Sequence, residues 1–331
     1  MEPLRLRGPA LLNDCYAHVG TPRFLFLDDY RSVMRATGIA KAMICPFENC
    51  ADLAQVHSAL DGSGTIRAYG LPMGRDRAET ERGLLAQLEA GFEGFRIAES
   101  RLAEMPEILD IVGRGGGIPM VVGSRGLASQ AKNLRAFLDR WPDSVIVSPH
   151  FAGPTEVSIF EQDPDVAALF DHPNFYVVYS RQTLFDQRII GEWAAHVAER
   201  TGWRRVVWGS ELPVPFWRDE KVGSLVAWAE SLTGDPARLA SLRHHNAERA
   251  FFSRPVRPVN PLRLPFDPRD LEVRNDAPMW PFGFPADTRL PALLVHEWRR
   301  AGGEDKEPLS QFASRLMLDA LEARRGETTK P

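Results

Sequence analysis

Side chains that can exchange protons recur where short apolar runs of this sequence end. The first run ends in Tyr16 and His18, the sixth in His150, and the eighth in Glu211. Histidine and glutamate are among the residues that most often act as general acids and bases in enzymes. If the ends of these runs meet in the fold, the pattern predicts a site for proton transfer.

A second set of polar residues at the same ends could bind an anion. Arg96 lies near the end of the fourth run, Arg125 follows the fifth, and the seventh ends at Ser180 and Arg181. A guanidinium group binds a carboxylate through two parallel hydrogen bonds, so these arginines favour a carboxylated substrate. Each residue alone also has an ordinary interpretation, since strand-end arginines often pair with loop carboxylates and lone histidines are often structural. Convergence from several strands would favour the functional interpretation.

The elements that must position these residues are eight apolar, β-branched runs. They span residues 10–18, 41–47, 66–72, 92–97, 118–124, 145–151, 175–180 and 205–213. Segments with helical spacing separate most of them, and strands that are apolar throughout are typical of parallel sheets covered on both faces. Eight such units predict an α/β fold, a (β/α)8 TIM barrel, with functional residues at the C-terminal ends of the strands. A doubly wound open sheet is the alternative, although no Gly-x-Gly-x-x-Gly follows the first run.

The composition changes after residue 253. Prolines cluster at 254–291, which argues against regular helix or a central strand there. A helical pattern follows, with an apolar stripe made of Leu309, Phe312, Ala313, Leu316, Ala320 and Leu321. We therefore expect a barrel at 1–253 and a Pro-rich and helical C-terminal extension at 254–331. The extension is expected to pack on the barrel or on the partner in a homodimer.

Composition limits the partners of the chain. Of 331 residues, 44% are hydrophobic and 25% are charged, as in ordinary globular proteins. The net charge of −4 gives no basic surface for nucleic acid or an anionic membrane. No apolar run is long enough to span a bilayer, and three cysteines make no disulfide framework. We expect a cytoplasmic protein that binds a small anionic substrate.

Six short motifs follow one another between residues 11 and 252. They read NDCYAHVG, GFEGFRI, VSPHFAGP, HPNFYVVYS, RRVVWGSELPVP and HHNAERAFF. In type and order they resemble the amidohydrolase superfamily, in particular its amidohydrolase 2 branch. That branch includes proteins like 2-pyrone-4,6-dicarboxylate lactonase and carboxymuconate-semialdehyde decarboxylase. The resemblance implies a TIM barrel and, as the leading hypothesis, a hydrolase.

The departures from this family concern the metal ligands. Metal-bearing members ligate zinc through two strand-1 histidines, a strand-5 histidine and a strand-8 aspartate. The corresponding positions here are Tyr16, His18, a position on or near Gly123, and Glu211. Zinc sites generally need three or four ligands, and strand alternation directs Cys15 away from the face of Tyr16. We therefore expect no metal and no other cofactor, with Zn²⁺ or Mn²⁺ on a rearranged ligand set as the alternative.

For a metal-free member, the resemblance implies a role for each residue. Glu211 would activate water, His18 and His150 would polarise a carbonyl, Tyr16 would replace the other histidine, and Arg96, Arg125 and Arg181 with Ser180 would bind the substrate. The expected reaction is hydrolysis of a lactone, or of an amide, in a carboxylated substrate. The alternatives are a metal-dependent hydrolase or decarboxylase, a non-hydrolytic biosynthetic enzyme, and a non-catalytic barrel in which Glu211 only pairs with an arginine.

Overall fold

The structure is a computed structural model that describes residues 11–20, 24–47, 53–123, 126–218, 220–266 and 290–302, together with 312, 313, 315–317, 319 and 320. The chain divides into two compact units, Met1–Pro281 and Phe282–Pro331. The first unit contains the eight strands. Among its described residues, the second contains a helix at Leu290–Arg300 and further residues in helical conformation between 312 and 320.

Eight parallel strands follow one another around the sheet in chain order. They are β1 (Leu12–Ala17), β2 (Ile39–Ile44), β3 (Ile66–Gly70), β4 (Gly94–Ala98), β5 (Ile118–Val122), β6 (Ile146–Ser148), β7 (Phe175–Tyr179) and β8 (Val206–Trp208). Beyond β8 the chain returns to β1 through two backbone hydrogen bonds, from Glu211 N to Tyr16 O at 2.7 Å and from His18 N to Leu212 O at 2.8 Å. The prediction of a (β/α)8 barrel is confirmed, and the open-sheet alternative is wrong.

Helices connect the strands and cover the outside of the barrel. They are α1 (Leu27–Thr37), α2 (Leu53–Ser58), α3 (Arg77–Glu89), α4 (Glu99–Glu104), α5 (Ile108–Arg114), α6 (Ala131–Arg140), α7 (Ile159–Gln162), α8 (Pro164–Asp171), α9 (Gln187–Arg200), α10 (Val222–Glu230) and α11 (Pro236–Ala240). The helix α12 (Leu290–Arg300) belongs to the second unit and is not one of these. Side chains such as Trp193 and Ile97 fill the layer between helices and strands, whereas Met43 and Val178 lie in a second cluster inside the barrel.

The N-terminal end of the barrel is closed by the chain that follows α11. Two π-helical turns, Ser241–His245 and Glu248–Phe252, place Phe251 in the interior cluster. Further along, Arg257 donates to the carbonyl of Gly116 ahead of β5 at 2.6 Å. This part of the Pro-rich region therefore contacts the end of the barrel opposite the C-terminal strand ends. The remainder of that region, 267–289, lies outside the described residues.

The first strand contains an irregularity that alternation does not anticipate. Its register against β2 shifts between Asp14 and Ala17. As a result, Cys15 and Tyr16 both pack in the interior cluster. The prediction that Cys15 points away from the face of Tyr16 is wrong, because a bulge breaks the alternation of side chains at this point.

Candidate active site

The C-terminal ends of five strands bring most of the predicted residues together. The rings of His18 and His150 flank that of Tyr16, with centroids 4.9 and 5.0 Å from it. Arg96 on β4 donates from Nε to the Tyr16 hydroxyl at 3.3 Å. His150 Nε2 lies 3.8 Å from Glu211 Oε1. Among the predicted site residues, Arg125 lies outside the described part of the chain.

Glu211 is buried at this site and forms an ion pair with Arg181 through several hydrogen bonds. Its side chain has no solvent exposure, and Arg181 Nε donates to its two carboxylate oxygens at 2.8 and 3.0 Å. Arg181 Nη2 also donates to Oε1. Burial raises the pKa of Glu211 above its ordinary value, although the Arg181 guanidinium opposes this. Because a charged hydrogen bond to the carboxylate favours its ionised form, Arg181 is the group that keeps this buried acid able to ionise.

His150 is held as a neutral imidazole. Burial lowers its pKa well below the ordinary value, and the charges of Arg181 and Arg96 lower it further. Its backbone N–H donates to Ser180 Oγ at 3.1 Å, and Nδ1 lies 3.1 Å from the same oxygen. When the Ser180 hydroxyl donates to Nδ1, the imidazole proton is on Nε2, the nitrogen that faces Glu211.

Tyr16 and His18 differ in what they can offer a ligand. Burial raises the pKa of Tyr16, so its hydroxyl stays protonated and can donate. His18 Nδ1 lies 2.8 Å from the carbonyl oxygen of Cys45, which can only accept, so the proton of a neutral His18 is on Nδ1. His18 Nε2 is then an acceptor, and His18 can polarise a carbonyl only as the imidazolium.

Two aromatic residues that the sequence analysis did not single out, Phe24 and Phe47, pack against His18 and Arg96 at this site. Phe24 stacks on the ring of His18 with centroids 4.5 Å apart, and the Arg96 guanidinium lies 4.8 Å from the centroid of Phe47. Phe47 also meets His18 edge-on. These contacts hold the His18 imidazole and the Arg96 guanidinium in fixed planes, which limits the shape of a ligand that could bind between these two groups.

Left-handed backbone conformations of non-glycine residues are concentrated at this site, and among the described residues Trp203, with a φ of 60°, is the one that lies elsewhere. His150, Arg181 and Glu211 have φ values of 57°, 64° and 57°, and Phe151 and Ala152 continue the left-handed turn after His150. A non-glycine residue in this region costs about 1–3 kcal/mol, and such residues cluster at functional sites. Three of the predicted residues thus occupy costly backbone positions, which is independent support for a functional site.

The residues present do not fit a resident metal ion. The family's strand-5 ligand position falls on or near Gly123, where a Cβ would lie 2.6 Å from Gly126 O and 2.8 Å from Leu127 Cδ2, so Gly123 itself has no room for a ligand side chain. Both Glu211 oxygens face Arg181, and the Tyr16 hydroxyl faces Arg96. Within the described residues, no three His, Cys, Asp or Glu side chains are grouped so that they could hold a metal. Guanidinium groups in this position favour anions over cations.

The family of the chain is established by its sequence. The amidohydrolase 2 model, described as Amidohydrolase, matches residues 3–252, so the chain belongs to the amidohydrolase family and is an amidohydrolase-type barrel. No curated protein sequence matches the chain. Within the described residues, no helix is both long and apolar enough to cross a bilayer.

Solved structures agree with the fold. A Pseudomonas putida protein assigned as a 2-pyrone-4,6-dicarboxylic acid hydrolase is 21% identical, with a TM-score of 0.57 over 73% of this chain and 98% of that one. An Acinetobacter baumannii protein with the same assignment, solved with citric acid bound, is 14% identical, with a TM-score of 0.56 over 72% and 98%. A zinc-bound amidohydrolase from Burkholderia multivorans is 17% identical, with a TM-score of 0.52 over 73% and 99%.

Proposed function

We propose that this protein is a metal-independent hydrolase that opens a lactone, or an amide, in a small carboxylated substrate. The observation that supports this most directly is the buried Glu211, paired with Arg181 and facing a neutral His150 beside the Tyr16 hydroxyl. A carboxylate whose pKa is raised by burial is better suited to accept a proton near neutral pH than an exposed one.

Binding of the substrate would release the base. Without a ligand, both oxygens of Glu211 are engaged by Arg181, whose side chain is 30% exposed to solvent. A substrate carboxylate that takes over this guanidinium frees Glu211 for water. The loss of the Arg181 contact also raises the pKa of Glu211, which strengthens it as a base.

The remaining residues would stabilise the charge that develops. Glu211 removes a proton from water, and the hydroxide forms a bond to the carbonyl carbon. Tyr16 Oη and, in the Nε2–H form, His150 donate to the resulting oxyanion. The ring C–O bond then breaks, and the leaving oxygen takes the proton held by Glu211, which returns Glu211 to its carboxylate form. Arg96, Ser180 and Arg125 are proposed to contribute to substrate binding.

Two structural neighbours carry related chemistry in their descriptions. One is assigned as a hydrolase of 2-pyrone-4,6-dicarboxylic acid, and the other has that assignment and contains citric acid. Both compounds have several carboxylates, as does the substrate class proposed here. We extend this to the present chain only as a hypothesis, together with a cytoplasmic location and a homodimer.

A second candidate is a non-catalytic barrel that binds a small anion. The full engagement of Glu211 by Arg181 favours it, because that pairing is what a site without a general base would show. The two candidates differ in turnover, since the non-catalytic barrel would bind carboxylated lactones without opening them.

The first experiment is elemental mass spectrometry of the purified protein before and after chelation. It is followed by a panel of mono- and dicarboxylated lactones assayed with the wild type and with Glu211→Gln. We expect no stoichiometric metal, and a loss of kcat of at least about 10²-fold in the variant. Glu93→Gln is the matched control, because Glu93 is also buried and pairs with an arginine, Arg67, at 3.0 Å at the opposite end of the barrel, ahead of β4. Stoichiometric zinc or manganese, or a fully active Glu211→Gln, would refute the proposal.

A further inference from the structure

The hydroxyl of Ser210 spans the backbone on both sides of Glu211. Its Oγ donates to Asp14 Oδ2 at 2.5 Å and accepts the backbone N–H of Leu212 at 2.9 Å. Leu212 has no solvent exposure, so water could not replace the Ser210 hydroxyl as the hydrogen-bond partner of this backbone N–H. Ser210 therefore closes a tight turn in which Glu211 is the central residue.

Asp14 anchors that turn to the first strand. Its Oδ1 accepts from the backbone N–H of Ser210 at 2.8 Å and from that of Tyr16 at 3.2 Å, and its Oδ2 accepts from Tyr30 Oη at 3.0 Å. The Asp14 side chain has no solvent exposure. One buried carboxylate thus receives hydrogen bonds from residues next to two predicted catalytic groups, Glu211 and Tyr16.

The conformation of Glu211 requires such support. At a φ of 57° its backbone is in the left-handed region, where a residue with a side chain persists only if its surroundings hold it there. The backbone bond from Glu211 N to Tyr16 O at 2.7 Å fixes its position relative to β1. The bonds of Ser210 fix the direction in which the Glu211 carboxylate leaves the turn.

We propose that Ser210 and Asp14 are positioning residues that hold Glu211 in its left-handed conformation and so aim its carboxylate at Arg181 and His150. The catalytic part of this inference rests on the proposed function, whereas its conformational part does not. Neither residue contacts the substrate in this proposal. A displacement of the base by about 1 Å can reduce turnover by about 10²-fold.

The test compares Ser210→Ala with Tyr30→Phe, which also removes one hydroxyl bound to Asp14 but leaves the turn intact. Crystal structures of both variants are determined, and kcat and KM are measured on the lactone panel. In Ser210→Ala we expect Glu211 to leave the left-handed region, kcat to fall about 10²-fold, and KM to stay within about threefold. Tyr30→Phe should keep both the conformation and kcat, and Ser210→Thr should restore kcat.

The outcomes separate this inference from the proposed function. If the wild type opens none of the lactones, the proposed function fails, and the crystal structures still decide the conformational role. A Ser210→Ala structure with Glu211 still left-handed and paired with Arg181 overturns the inference. Equal losses of kcat in Ser210→Ala and Tyr30→Phe would also overturn it, because they would indicate only lower stability. If Ser210→Ala does not fold, Ser210→Cys takes its place, since a thiol fills the space but is a weak hydrogen-bond partner.

Discussion

Replacing Asp14 by asparagine should make the stability of the protein less sensitive to pH. The Asp14 carboxyl has no solvent exposure, and burial raises its pKa from 3.8 to about 6, despite hydrogen bonds from Ser210, Tyr16 and Tyr30. A group whose pKa is higher in the folded state stabilises the fold below its unfolded pKa. That contribution is lost as the pH rises through the folded value. At 1.36 kcal/mol for each pKa unit, the wild type should lose about 3 kcal/mol in this way.

Asparagine keeps the volume and one carbonyl acceptor for the two backbone N–H groups, and it does not ionise. The free energy of unfolding of Asp14→Asn, relative to wild type, should therefore rise by about 2–3 kcal/mol between pH 4 and pH 8. Urea unfolding followed by circular dichroism at constant ionic strength measures this difference at each pH. Asp28→Asn is the control, since the Asp28 side chain is 93% exposed. A difference that stays constant from pH 4 to pH 8 would show that burial does not disfavour the Asp14 carboxylate.

Four further predictions concern the site and the barrel. Arg181→Ala should raise KM for a carboxylated lactone at least about 10-fold. It should also move the rising limb of the pH profile of kcat/KM, which reports the free enzyme, to higher pH, because Arg181 lowers the pKa of Glu211 in that state. Folding raises the pKa of the Glu211 carboxyl, so wild type should lose stability as the pH rises, whereas Glu211→Gln should not. The free energy of unfolding of the variant minus that of wild type, measured by urea titration, should therefore be larger at pH 8 than at pH 4. Gly209→Ala should lower the free energy of unfolding by about 1–3 kcal/mol in the same assay, because its Cβ would lie 2.8 Å from Tyr16 Cβ. In the control Gly191→Ala, in α9, the Cβ meets nothing within 4 Å, so this variant should be more stable by about 0.5–1 kcal/mol. Treatment with a chelator should leave both kcat and the melting temperature unchanged.

The fold could be predicted because its information is local and repeated. Each apolar run overlaps a strand, and the C-terminal ends of parallel strands in a barrel must meet. The same rule places His18, Arg96, His150 and Glu211 at one mouth without any knowledge of distances. The order of the six motifs along the chain supported the resemblance to the amidohydrolase family, and the family match over residues 3–252 confirms that resemblance.

What the sequence could not provide depends on contacts between distant segments. Phe24 and Phe47 lie in loops, where apolar residues follow no period that marks their neighbours. The bulge that brings Cys15 to the face of Tyr16 changes a register that only pairing with β2 defines. The engagement of Glu211 by Arg181 likewise depends on left-handed backbone conformations that neither residue type favours.

If the protein is metal-free as proposed, the crowding at Gly123 makes a strand-5 metal ligand difficult to introduce there. A tyrosine-to-histidine change at 16 and a glutamate-to-aspartate change at 211 each need few nucleotide changes and no new space. A histidine at 123 would collide with the carbonyl of Gly126, and a Cβ on Gly153 would lie 2.6 Å from Gly123 O, so this position is enclosed by two loops. A ligand side chain at 123 would require both loops to be rebuilt together. Changes at positions 16 and 211 alone would therefore still leave the strand-5 ligand missing.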